Sequence, residues 1–115
     1  MSTRSTGDRG EAVAEAFLLD NGWQILDRNP HLRFSEIDIL ARDGRELVIV
    51  EVKAKSSSSF GFAVEQVTAT KKRRLARLAE LVQQGYNQPV RVDVIAIDDF
   101  GKSNQKIVHY KNALE

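Results

Sequence analysis

The stretch that decides the fold is EIDILARDGRELVIVEVK, residues 36–53. Two β-rich runs, Glu36–Ala41 and Glu46–Lys53, flank the four residues Arg-Asp-Gly-Arg at 42–45. Asp-Gly between two apolar runs is a strong short-range signal for a β-hairpin. The continuous apolar run at 47–50 is typical of a central strand that is buried on both faces. The stretch therefore predicts an antiparallel pair inside a larger sheet.

Alternation of side chains along the two strands brings three polar residues together. A turn centred on Asp43 and Gly44 puts Asp38, Glu51 and Lys53 on one face. Asp38 and Glu51 then become diagonal neighbours, with Cβ atoms about 6–8 Å apart. That spacing allows two carboxylates to close around one cation. A three-residue loop would shift the register by one residue and separate them.

The two faces of this hairpin differ in character. Glu36 shares the face of the acids, either as a further acid or as a rim residue. The opposite face is entirely apolar and is predicted to be core: Ile37, Ile39, Val48, Val50 and Val52.

Two carboxylates and an ammonium on a partly covered face need an explanation. They cost several kcal/mol unless they are paired or bind a metal. One reading is a Glu–Lys ion pair on an edge strand beside water. The other is a site for Mg²⁺ or Mn²⁺, which hard oxygen ligands select over zinc. Asp38 and Glu51 would hold the ion, and Lys53 would orient or help deprotonate a water, or stabilise charge on phosphorus.

A basic cluster follows in the second predicted helix, which Thr68 can cap and which runs to about Gln84. Lys71 and Arg74 continue its apolar stripe, so they are expected to point towards the sheet. The other cluster members face solvent: Lys72, Arg73 and Arg77. A basic patch can hold nucleic-acid phosphates, although a solvated helix face is the alternative reading.

The rest of the chain predicts an α/β fold in a single domain, residues 1–115, with the order α-β-β-β-α-β-β and a mixed central sheet flanked by helices. A low-complexity run at 56–59, with a glycine at 61, marks a flexible loop. Trp23 is expected in the core. The remaining predicted elements are a helix at Thr6–Asp20, strands at Trp23–Asp27, Val90–Ile97 and Lys106–Tyr110, and a helix stop at Gly85.

Composition excludes several classes of protein. The 115 residues contain 17 Lys and Arg, 16 Asp and Glu, and no cysteine. Disulfides, cysteine–zinc sites and cysteine nucleophiles are therefore excluded. No apolar run approaches the roughly 18 residues of a membrane span, and the polar first nine residues do not form a secretory signal. We expect a cytoplasmic protein with no membrane partner.

Asp38, followed after twelve residues by Glu51-Val52-Lys53, resembles the PD-(D/E)xK core of restriction endonucleases and Holliday junction resolvases. The whole chain resembles the YraN family of small, uncharacterised, endonuclease-like bacterial proteins. The stretches that carry this resemblance are Gly7-Asp8-Arg9-Gly10-Glu11 with Ala14, Asp27-Arg28-Asn29, Ser35–Leu40, Val50–Lys53, Lys71 with Leu75, Arg91–Ile95 and His109–Ala113.

The resemblance implies a restriction-endonuclease-like αβββαβ core with Glu11, Asp38, Glu51 and Lys53 as the catalytic set. Glu11 would reach in from the first helix, although stabilisation of the helix N-terminus is an equal reading. Lys55, where the family commonly has arginine, joins Lys71 and Arg74 as an expected nucleic-acid contact. Resolvase-like relatives act as dimers, so a homodimer is expected by analogy.

Other polar residues receive weaker interpretations. Asp93, among apolar neighbours, is read as a buried partner of Arg91 or Arg28, with a role as a site accessory as the alternative. His31 and His109 are isolated in the sequence and are assigned no chemistry. Ser35 replaces a glycine that is usual in the family and removes no ligand.

These observations favour a Mg²⁺-dependent nuclease acting on nucleic-acid phosphodiesters, with structured or branched DNA as one candidate substrate. A catalytically silent nucleic-acid-binding module with the same fold shares the basic patch. A protein–protein adaptor with a structural ion cluster is the third reading. The intact Asp/Glu/Lys set favours the enzyme, because a binding module has no use for carboxylates facing phosphate.

Overall fold

The structure, a computed structural model, describes residues 3–32 and 35–114, with side chains for 9–30 and 36–114. The expectations for Ser35 and for the side chain of His31 lie outside this part. The elements in chain order are α1 Thr3–Asp20, β1 Gln24–Arg28, β2 His31–Leu32, β3 Ser35–Glu36, β4 Ile39–Asp43, β5 Glu46–Ala54, a 3-10 helix Ala63–Gln66, α2 Ala69–Tyr86, β6 Val90–Asp98 and β7 Lys106–Tyr110.

Five strands form the main sheet in the order β1-β4-β5-β6-β7, and β2 pairs with β3 apart from it. The pair β5–β6 is parallel and is connected through α2, while the other pairs in the sheet are antiparallel. The predicted α/β class is confirmed, and the predicted order holds for the two α-helices and the five strands of the main sheet. The strands β2 and β3 and the 3-10 helix were not predicted. The architecture is a restriction-endonuclease-like αβββαβ core with β7 added at one edge.

The two helices cover opposite faces of the sheet, and each face has its own apolar cluster. Ala14 and Leu18 of α1 pack with Trp23, which is buried as predicted. They also pack with the apolar residues of β4, β5 and β6 on the face of the sheet that α1 covers. Leu75, Leu78 and Val82 of α2 pack on the other face. Because β5 is covered on both sides, its run of Leu47 to Val50 is fully buried.

The hairpin register differs from the prediction by two residues. Asp43 lies in β4 and pairs with Glu46, so the turn is centred on Gly44 and Arg45. Two acidic residues directly opposite each other would repel. Arg91 lies between them, with Nη2 3.2 Å from Asp43 and Nη1 3.0 Å from Glu46. A shift by an even number of residues keeps the side chains of the paired residues, 39–43 and 46–50, on their predicted faces.

Two predicted details are wrong. Ile37 packs in the α2-side cluster rather than with Ile39, because β4 begins only at Ile39 and the chain bends at Asp38. Helix α2 passes Gly85 and ends at Tyr86, where Asn87 adopts a left-handed conformation with φ of 52°. The predicted N-cap is confirmed, since Thr68 accepts a hydrogen bond from the Lys71 amide.

Asp93 forms a buried polar network beneath the edge of the sheet. It is fully buried and accepts hydrogen bonds from Arg91 Nε at 2.9 Å and from the Asn112 amide at 3.1 Å. His109 Nε2 lies 2.8 Å from Asp93 Oδ2, and the imidazole packs against Trp23. The predicted pairing with Arg91 is confirmed, whereas His109 is not isolated in the fold. Burial opposes ionisation of Asp93, but the bonds from His109 and Arg91 lower its pKa.

Asp93→Ala is therefore expected to destabilise the fold by roughly 3–5 kcal/mol, because it leaves Arg91 partly buried without its main partner. Glu46→Ala is the matched control. Glu46 also binds Arg91 but its side chain is 63% exposed, so its loss should change the free energy of unfolding by about 0.5 kcal/mol or less. Urea unfolding of both variants checks this. Equal losses would contradict the assignment.

Candidate active site

Asp38 is held at the point where the ladder between β4 and β5 stops. The last pair is Ile39 with Val50. Beyond it, the Val52 amide donates to the Asp38 carboxylate, with N to Oδ2 2.8 Å. The backbone of Asp38 is also fixed, because its carbonyl accepts the Asn29 amide at 2.8 Å. Both the side chain and the backbone of Asp38 are thus held by hydrogen bonds at the start of β4.

Glu51 lies beside Asp38 and is almost completely buried. Its exposed fraction is 3%, and its Oε2 is 2.9 Å from Arg74 Nη2 of α2. Burial, together with the hydrogen bond and negative charge of Asp38, raises the pKa of Glu51 from 4.5 to about 8. The opposing charges of Lys53 and Arg74 only partly offset this. Asp38 and Glu51 are therefore neighbours, although the ladder between β4 and β5 stops one residue short of Asp38.

Glu11 approaches Asp38 from the opposite helix. It is 8% exposed and lies three residues before Ala14 on the buried face of α1. Burial and the neighbouring Asp38 raise the pKa of Glu11 from 4.5 to about 7, against the effects of Asn29 and Arg28. Its Oε1 is buried and has no hydrogen-bond partner among the described residues. Glu11 lies eight residues after the first residue of α1, beyond its first turn, and therefore belongs to the carboxylate cluster.

Two lysines face the cluster from the α2 side. Lys71 lies beside Lys53, whose proximity lowers the pKa of Lys71, while Glu51 acts in the opposite direction. Lys71 is partly buried, and its predicted orientation towards the sheet is confirmed. Arg74 also points inward, whereas Lys72, Arg73 and Arg77 are exposed as predicted. The cluster therefore contains the ammonium groups of two lysines and the guanidinium of Arg74 beside three carboxylates.

The structure brings together six of the seven predicted site residues: Glu11, Asp38, Glu51, Lys53, Lys71 and Arg74. Lys55 is placed elsewhere, at the end of β5, where its Nζ donates to the Gly61 carbonyl at 3.0 Å. Glu36 is exposed, and its carbonyl lies 3.4 Å from Arg74 Nη1.

Asn29 is a member of the site that the residue patterns did not single out. Its backbone amide donates to the Asp38 carbonyl, and its side chain acts to lower the pKa of Glu11. Asn29 has a positive φ of 55°, a conformation in which asparagine is enriched. The signal available in the sequence was therefore an asparagine directly before Pro30 in the predicted loop.

The donors fit a hard divalent cation by their chemistry. All three are carboxylates, and one carboxylate oxygen of Glu11 is buried without a partner. The described residues nevertheless contain no group of three or more His, Cys, Asp or Glu positioned to hold a metal. In this arrangement Arg74 stabilises Glu51, and the raised pKa values of Glu11 and Glu51 favour their protonated forms.

The fold is of the restriction-endonuclease-like class. A sequence model of the uncharacterised protein family UPF0102 matches residues 10–97. The chain belongs to UPF0102, the YraN family, as its motifs predicted. It is 41% identical to a UPF0102 protein of Thermodesulfovibrio yellowstonii over 98% of both chains. It is 42% identical to one of Symbiobacterium thermophilum over 84% of each chain.

Among the helices that the structure describes, none is long and apolar enough to cross a membrane.

The raised carboxyl pKa values predict an unusual pH dependence of stability in the absence of divalent cations. Between pH 4.5 and about 8 the folded state binds more protons than the unfolded chain, so the free energy of unfolding falls as the pH rises. The loss should be about 3 kcal/mol or more. Glu51→Gln cannot ionise and should flatten the curve.

Denaturant unfolding in EDTA at pH 5, 6.5 and 8 measures this effect. Glu80→Gln, on the exposed surface of α2, is the control and should follow the wild type. A wild-type stability that rises from pH 5 to pH 8 would contradict the description of the cluster.

Proposed function

We propose that this chain is a Mg²⁺-dependent nuclease that hydrolyses phosphodiester bonds in nucleic acid, with structured or branched DNA as the first substrate to test. One observation carries the proposal. Asp38 directly precedes β4, Glu51 lies in β5 and Glu11 lies in α1, and the three carboxylates are neighbours. Glu11 and Glu51 are each more than nine-tenths buried. Such burial of acids is costly without a cation.

Asp38 and Glu51 would hold the ion, Mg²⁺ or Mn²⁺, with Glu11 close enough to bind it or a water on it. When bound, the ion supplies polarisation of a phosphoryl oxygen and a lower pKa for a water ligand. The chain provides the fixed orientation, because Asp38 is held by the Val52 amide at 2.8 Å. The carboxylate held in this way lies beside both glutamates.

Lys53 and Lys71 would act on the phosphate. They lie side by side next to Glu51, so a phosphate group placed against them would relieve the repulsion between the two ammonium groups. Lys53, two residues beyond Glu51 on the same face of β5, would orient the attacking water or stabilise charge that develops on the phosphate.

The outer surface of α2 supports binding of a polyanion. A groove of about 670 Å³ runs along this helix and is lined by Thr70, Arg73, Arg74, Arg77, Leu78, Glu80, Leu81 and Gln84. Three arginines on one side of the groove provide contacts for backbone phosphates. Arg74 links the groove to the carboxylates, since it also binds Glu51.

The Arg74–Glu51 ion pair supports a second candidate, a module that binds nucleic acid without turnover. A guanidinium 2.9 Å from Glu51 Oε2 competes with a cation for that oxygen. In the nuclease, Arg74 would have to move to phosphate when the ion binds. In the binding module, the ion pair would persist.

Asp38→Asn and Glu51→Gln are expected to reduce Mg²⁺-dependent cleavage at least 100-fold. Both variants should fold, because an asparagine oxygen can still accept the Val52 amide. Cleavage of labelled branched, single-stranded and double-stranded DNA and RNA, with Mg²⁺ and with Mn²⁺, measures the effect. Binding in EDTA is measured in parallel.

Lys53→Ala is expected to reduce the cleavage rate about 100-fold or more while substrate binding changes little. Lys102→Ala is the control, since Lys102 is exposed in the turn between β6 and β7. Wild-type protein that binds in EDTA and cuts none of the substrates with either metal would replace the nuclease with the binding module.

A further inference from the structure

A pocket outside the carboxylate cluster combines cations with aromatic rings. Its volume is about 440 Å³, and it lies at the end of β5. The described residues that line it are Arg9, Ala54, Lys55, Ser56, Ser57, Phe60 and Phe100. This set contains two positive charges, two phenyl rings and no acid.

Phe60 is the unusual member of this pocket, because 96% of its surface is exposed. A single exposed apolar side chain is common, but two exposed rings in one loop beside positive charge form an apolar patch of the kind that marks a binding site. Phe62, also exposed at 57%, is nearby in the same loop. Removing Phe60 would cost the folded core nothing.

The loop that presents Phe60 is fixed by hydrogen bonds and by Gly61. Lys55 Nζ donates to the Gly61 carbonyl, and the Gly61 amide donates to Ser58 at 3.2 Å. Gly61 has φ of +112°, and a Cβ at this position would clash with Glu65 Oε2. A loop whose backbone is held in place before binding loses less entropy when a ligand stacks on the ring that it carries.

The positive groups are arranged around the same opening. The Arg9 guanidinium lies 5.5 Å from the centroid of the Phe100 ring, a cation–π contact that keeps the charge at the pocket. Lys55 is tied to Phe100 through the backbone, because the Phe100 amide donates to the Lys55 carbonyl at 2.8 Å. Its ammonium donates one hydrogen bond to Gly61 and has further donors available.

The pocket also adjoins the carboxylate cluster along the chain. Arg9 precedes Glu11 by two residues in α1, and Lys55 follows Glu51 by four residues. At about 3.3 Å per residue along a strand, Lys55 is roughly 13 Å beyond Glu51. A stacked strand of nucleic acid covers that distance in about four nucleotides.

We infer that this pocket binds an unpaired nucleotide, with its base stacked on Phe60 and the neighbouring phosphates bound by Arg9 and Lys55. A base inside a duplex has no free face for Phe60. The substrate class is therefore nucleic acid with a single-stranded segment beside the cleaved bond. The position of this segment beside the cleaved bond rests on the proposed function, whereas the binding of single-stranded nucleic acid does not.

The test compares wild type, Phe60→Ala, Phe60→Trp and Tyr86→Ala by fluorescence anisotropy. The probes are a labelled single-stranded oligonucleotide and the blunt duplex of the same sequence, in EDTA so that no cleavage occurs. Phe60→Ala should bind the single strand about tenfold or more weakly, since one stacked base is worth that much. Duplex binding should be unchanged. Tyr86, an exposed ring at the end of α2, is the control and should behave as wild type.

Phe60→Trp should retain the affinity, and its indole fluorescence should be quenched by the single strand but not by the duplex. The native Trp23 is buried at 6% exposure and should not respond. Wild-type affinity in Phe60→Ala, or Phe60-dependent binding to anionic phospholipid vesicles with none to oligonucleotides, would overturn the inference. A Phe60 effect on binding in a protein that never cleaves would reject the nuclease proposal and leave this pocket standing.

Discussion

The hydrogen bond from the Val52 amide to the Asp38 carboxylate, 2.8 Å long, is the contact on which the site depends. Strand β4 starts at Ile39, so the backbone of β5 would otherwise present an unpaired donor at this point. Asp38 satisfies that donor with its side chain and in doing so becomes fixed. The same contact holds Asp38 beside Glu51 of β5 and beside Glu11 of α1. The hydrogen bond that follows the last pair of the ladder between β4 and β5 is therefore also the contact that positions Asp38 in the site.

The charges around Asp38 come from both faces of the sheet. Glu11 arrives on α1 and Arg74 and Lys71 arrive on α2, while β5 contributes Glu51 and Lys53 between them. Each helix is held against the sheet by its own apolar cluster, so neither helix can move away to reduce the repulsion between the carboxylates. The raised pKa values of Glu11 and Glu51 are the consequence. Protons and Arg74 supply the balancing charge in the absence of a cation.

Much of this arrangement could be predicted from the sequence, because side-chain alternation depends only on parity. The two-residue error in the hairpin register left Asp38, Glu51 and Lys53 on one face, and α2 was oriented by the spacing of Leu75 and Leu78. Ile37 was assigned to the wrong face, since the bend at Asp38 breaks the alternation. Asn29 and His109 were missed because their partners, Asp38 and Asp93, are distant in sequence. The position of Lys55 depended on a backbone contact to Gly61 that no pattern encodes.

The central claim is that Asp38 and Glu51 form a divalent-cation site. Crystals of the protein soaked in Mn²⁺ test it most directly, through anomalous difference density collected at the manganese edge. The account predicts one strong peak about 2.0–2.3 Å from a carboxylate oxygen of each residue, with the Arg74 guanidinium displaced from Glu51. A map with no peak there, with Arg74 still bound to Glu51, would contradict it.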